Sequence, residues 1–137
     1  MIIKNFWKSL LIMTVILVLS MLPDKSHHEK TPVLLTIALD KWEHLLAYMV
    51  LTLSQIVEFL QQDKSARLTK NAIWISCLLS MILGSLIELL QKLIPSINRS
   101  PNPKDILANA IGIILALLVY LIIRRKNLPF IGRLKPG

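Results

Sequence analysis

The chain has 137 residues, enough for a single domain. Of these, 54% are hydrophobic and 18% charged, and the apolar residues gather into long blocks; this excludes an ordinary water-soluble domain and points to a membrane protein. The formal net charge of +8 does not make a nucleic-acid binder, because the cations stand in short clusters between apolar runs without interleaved aromatics, as topogenic and headgroup-contacting charges do.

Lys4 and Lys8 precede an apolar run from Ser9 to Leu22 that Pro23 ends. The layout is that of a signal peptide, but Ser20, Met21 and Leu22 form no small-x-small cleavage site, so the run reads as an uncleaved first spanning helix that starts near Phe6. It is slightly short for a hydrocarbon core about 30 Å thick, a mismatch that Trp7 and the flanking lysines accommodate at the interface. Pro23 to Lys41 reads as a polar link carrying Asp24, Lys25, His27, His28, Glu29 and Lys30; the two histidines are solvated loop residues, and Val33 to Leu39 is apolar but too short to span.

A second run extends from about Trp42 to Leu60, and a polar turn follows from Gln61 to Asn71. The third goes from Ala72 to Ile94 and stops at Pro95; after a proline-rich link the fourth goes from Pro103 to Ile123 and ends in Arg124, Arg125 and Lys126. The expected fold is therefore an all-α membrane protein: a bundle of four transmembrane helices over residues 1–126, followed by a basic, irregular tail over 127–137 that contains Pro129, Gly132 and Pro136. The one cysteine, Cys77, sits inside an apolar run and excludes an intrachain disulfide, so it reads as a packing residue.

Lysine and arginine set the expected topology. Lys4, Lys8, Lys64, Arg67, Lys70, Arg124, Arg125, Lys126, Arg133 and Lys135 fall on one side, ten against the six of the other, Lys25, Lys30, Lys41, Lys92, Arg99 and Lys104. The positive-inside rule puts both termini, and the tail, in the cytoplasm and turns the first and third links outward. Localisation is expected at the cell (inner) membrane, as a multi-pass protein.

The polar residues inside these runs carry the functional signal. At about 100° per residue, Asp40, His44, Tyr48, Gln55 and Glu58 share one stripe of the second helix with Lys41 and Thr52 beside it, whereas Glu43 falls about 100° away as an interfacial charge. Such a stripe must face other helices or a wet cavity, because lipid tails offer no hydrogen-bond partner. The third helix presents Cys77, Ser80, Gly84, Glu88 and Gln91 on one face, with Ser76, Ser80 and Gly84 at the four-residue spacing that allows close helix approach. The fourth presents Asp105, Ala108, Asn109, Gly112 and Ala116. Glu88 is the strongest functional candidate: it lies on the order of 9 Å inside the helix end, where a carboxylate requires a proton or a partner such as Arg99, Lys41 or His44. His44 in turn is expected to meet Glu88 or Asp105.

Plainer roles stand beside these. Asn102, Pro103 and Asp105 fit a helix start, with Asn102 as cap and Asp105 reaching back as in a capping box. Asn109 can bond a neighbouring helix, Arg99 can anchor a headgroup, and Trp42, Trp74 and Tyr120 suit interfacial or packing positions. A metal site from His44, Glu88 and Asp105 is a weaker variant without short ligand spacing, so neither metal nor cofactor is expected.

In order along the chain, D-K-W-E-H-L-L-A-Y at Asp40 to Tyr48, I-E-L-L-Q at Ile87 to Gln91 and R-S-P-N-P-K-D-I-L-A-N-A-I-G at Arg99 to Gly112 resemble the VanZ-like family of small bacterial membrane proteins. The likeness covers the second to fourth helices. It implies a shared site composed of Asp40, Lys41, His44, Tyr48, Glu88, Gln91, Arg99, Ser100, Asp105 and Asn109, with Gly112 completing the last motif. Ile87 stands where many members have a second acid, and Leu45 replaces an aromatic, which weakens any two-carboxylate mechanism. The resemblance further implies a cell-envelope role, such as handling a lipid-linked precursor or a response to glycopeptide antibiotics; the family's namesake is associated with teicoplanin resistance.

Two functions follow from these residues. One is a binding protein whose outward pocket takes an anionic lipid-linked ligand, or another membrane protein, through Arg99, Lys41 and Lys104. The other is an intramembrane enzyme acting on a lipid headgroup, with His44 or Glu88 as general acid or base and Asp105 as a further catalytic candidate.

Overall fold

The structure, a computed structural model, describes residues 6–22, 33–62, 66–94, 96 and 102–125. They form four helices: α1 Trp7–Met21, α2 Val33–Gln62, α3 Ala66–Leu93 and α4 Pro103–Arg125. Two helices start earlier than expected. The apolar stretch at Val33, read as part of a polar link, belongs to α2, because no glycine or proline interrupts the 30 residues from there to Gln62. Likewise α3 begins at Ala66 inside the expected polar turn, since Arg67 and Lys70 are good helix formers. The basic tail, His27 and His28 lie outside the described residues.

Three segments are long and apolar enough to cross a membrane: Lys41–Gln61, Asn71–Leu93 and Pro103–Arg125. The fourth helix, α1, has 15 residues and is about 22 Å long at 1.5 Å per residue. Outward faces are mainly apolar, with Trp74 74% and Leu93 65% exposed, and Leu78, Leu107, Ile114 and Ile122 also on the surface. An apolar surface of this extent suits lipid and would associate in water.

α1 and α3 run one way, α2 and α4 the other, as the paired residues show. Ile16 packs with Tyr48, Leu51, Ile87 and Ile113 in one core cluster. Nearer the other end Ile56, Leu60, Ala72 and Tyr120 form the second. The α2–α4 pairing is the most extensive in the bundle. Gly112 makes it possible: a Cβ there would overlap the Leu45 carbonyl oxygen and come within 3.2 Å of the Met49 nitrogen, so the two backbones touch where only glycine fits.

α1 packs less extensively and is fastened at both ends by polar side chains from its neighbours. Phe6 supplies no capping side chain, so the N–H groups of Lys8 (3.0 Å) and Ser9 (3.2 Å) donate to the Glu58 carboxylate of α2, as does the Ser9 hydroxyl. At the other end Gln91 of α3 donates from Nε2 to the Ser20 carbonyl at 2.9 Å. Free helix ends are costly where water is excluded, and these two contacts satisfy part of each. Phe6 and Phe59 add an edge-on ring pair at 4.7 Å beside the Glu58 contact.

Candidate functional site

Most of the polar side chains singled out in the sequence meet at one end of the bundle, where α2 and α4 begin and α3 finishes. The α4 start is built locally as expected in two respects. Asn102 Oδ1 accepts from the Lys104 N–H at 3.0 Å, and Pro103 occupies the first helical position. The capping box is not formed as expected, however. Asp105 pairs with Lys41 of α2, and the Asn102 N–H donates instead to Glu88 Oε2 of α3 at 3.1 Å. Glu88 thus takes over, from another helix, the contact that the third helical residue would make.

One turn further in, His44 Nδ1 lies 3.1 Å from Asn109 Oδ1, an α2–α4 contact. Gly84 sits opposite: a Cβ on it would lie 2.8 Å from Asn109 Nδ2 and 3.2 Å from the Tyr48 hydroxyl, so the absence of a side chain on α3 lets both groups approach. Tyr48, Asn109 and Glu88 are buried, Glu88 to 5% exposure. Among the described residues Glu88 Oε1 is the buried side-chain polar atom without a hydrogen-bond partner. A carboxylate oxygen left in this condition is costly, and the cost is removed by a donor or a cation.

Deeper still, the Ser80 hydroxyl donates to Gln55 Oε1 at 3.2 Å and accepts at 2.9 Å from the Thr52 hydroxyl, which shares its one proton between Ser80 Oγ and the Tyr48 carbonyl at 2.8 Å. All three are buried and joined to one another, so they bind α2 to α3.

The sequence-derived set therefore divides. Lys41, His44, Tyr48, Glu88, Asp105 and Asn109 come together. Gln91 is at the same end but its amide donates to α1. Asp40 lies within α2, though its side chain is outside the described residues, as are Arg99 and Ser100. No group of three or more His, Cys, Asp or Glu among the described residues is placed to hold a metal, so the His44, Glu88 and Asp105 variant is not assembled. Lys92 and Lys104 stand exposed around the same end. Gly84 was legible only as a packing residue, and the role of the Asn102 backbone has no side-chain signal at all.

No family model, no curated protein and no solved structure matches the chain.

Proposed function

We propose that this protein is a VanZ-like, multi-pass component of the cell membrane, that α1 serves as its fourth span, and that both termini are cytoplasmic. Its polar mouth faces outward and binds the headgroup of a lipid or lipid-linked molecule, in a cell-envelope role. One observation carries the binding: Glu88 Oε1, buried and without a partner, beside Tyr48, His44 and Asn109 at the end where Lys92 and Lys104 are exposed. Three apolar helices support the membrane placement, and the ten-to-six division of basic residues supports the orientation.

The test is to purify the wild type and Glu88→Gln from cells in mild detergent and identify the lipids each retains. Enrichment of one polar lipid class in the wild type, lost in the variant, is the expected result. Identical lipid profiles would refute it. His44 and Glu88 share one end of the bundle, which also supports the catalytic alternative with these two as acid and base. A lipid species that accumulates chemically unprocessed in Glu88→Gln cells would favour that alternative over binding.

A further inference from the structure

The unpartnered oxygen of Glu88 says what kind of group belongs beside it. We infer that the headgroup carries a primary ammonium next to a phosphate, with the ammonium entering to Glu88 and the phosphate remaining at the rim. This deepens the headgroup-binding reading above and rests on it.

Three observations lead there. First, Oε1 is an acceptor, so a phosphodiester anion, which carries no proton and only accepts, has nothing to offer it. Second, Oε2 receives a neutral backbone N–H from Asn102, while Lys41 at the same end pairs with Asp105; a hydroxyl would complete the lone pair, but a cation also offsets the charge of a carboxylate 5% exposed. Third, the exposed cations Lys92, one turn beyond Glu88 on α3, and Lys104, two residues after Asn102, would repel a purely cationic ligand. A phosphate beside the amine turns that repulsion into attraction. The surrounding helices present apolar outer faces, so the molecule bearing this headgroup is a lipid with acyl chains along the bundle.

The experiment uses the full chain in detergent micelles carrying equal amounts of phosphatidylethanolamine, phosphatidylcholine and phosphatidylglycerol with matched acyl chains, and counts retained lipids by native mass spectrometry. Phosphatidylethanolamine is expected to be retained about tenfold over the other two, roughly the worth of one charge-assisted hydrogen bond. The methylated amine keeps its charge but cannot donate, and the glycerol headgroup donates without a cation. Glu88→Gln should abolish the preference, and Glu43→Gln, at an exposed position on α2, should keep it. Should Glu88→Gln fail to fold, the wild-type comparison of the amine with its methylated form still decides. Equal retention of all three lipids, as when a proton alone completes Oε1, overturns the inference. Preference for phosphatidylglycerol also overturns it but leaves headgroup binding standing. Retention of no lipid overturns both.

Discussion

Gly112 and Gly84 are both helical glycines facing another helix, yet replacing them with alanine should have different consequences, the first mainly for stability and the second mainly for binding. At Gly112 the new methyl would strike α2 backbone: the Leu45 carbonyl oxygen, its carbon at 3.1 Å and the Met49 nitrogen at 3.2 Å. No rotamer change relieves that, so α2 and α4 must separate along their main contact. Overpacking costs about 1–3 kcal/mol, and backbone involvement puts Gly112→Ala near the upper end. At Gly84 the methyl would meet Asn109 Nδ2 at 2.8 Å and the Tyr48 hydroxyl at 3.2 Å, the far ends of side chains that can turn aside. Gly84→Ala should then cost about 1 kcal/mol or less but re-aim Asn109, disturb its contact with His44 and reduce lipid retention. Alanine intrinsically favours a helix over glycine by about 1 kcal/mol, so a net loss at Gly112 reports the contact itself. Reversible unfolding in bicelles, by steric trapping, measures both variants. A neutral Gly112→Ala, or a Gly84→Ala more destabilising than it, would refute this reasoning.

The ion pair, the α1 fastening and the buried hydroxyls each give a further test. Lys41→Met leaves the Asp105 carboxylate without its partner; a fully buried pair would lose about 3–5 kcal/mol, and the 22% and 10% exposure of these side chains reduces that to about 2. Adding Asp105→Asn should recover most of the loss in the same unfolding assay, and no recovery would mean that the pair is not coupled. Glu58→Ala removes the acceptor for two α1 backbone N–H groups, so hydrogen exchange at Lys8 and Ser9 should accelerate while that of α4 is unchanged; unchanged exchange at both would contradict the capping role. A double-mutant cycle of Thr52→Val with Ser80→Ala should give coupling of about 0.6 kcal/mol, typical of a hydrogen bond between membrane helices. Strictly additive losses would show that their 2.9 Å approach contributes nothing.

Much of this arrangement is legible in the order of residues. The apolar runs announce the helices, and the angular clustering of His44 and Tyr48, of Gly84 and Glu88, and of Asp105 and Asn109 announces inward faces. Helix ends are less legible, because polarity was the boundary signal while backbone geometry answers to propensity: Val33 and Ala66 begin helices that Asp40 and Lys70 merely pass through. Pairing is less legible still. Lys41, Glu88 and His44 had several plausible partners, and the choice depends on the axial level at which α2, α3 and α4 meet, which Gly84 and Gly112 set through close approach. Glu58 could be placed on an inward stripe of α2, but its recipient, the bare N-terminus of α1, becomes visible only once the chain is folded.

The placement of these groups in the membrane is tested most directly by labelling in intact cells. With Cys77 replaced by alanine, single cysteines at Lys92, Lys104 and Arg125 are treated with a membrane-impermeant maleimide. Modification at positions 92 and 104 but not at 125 is expected, with 125 reacting only after the cells are opened. Reaction of 92 and 104 from opposite faces, or protection of both while 125 is labelled from outside, would contradict an outward mouth shared by α2, α3 and α4.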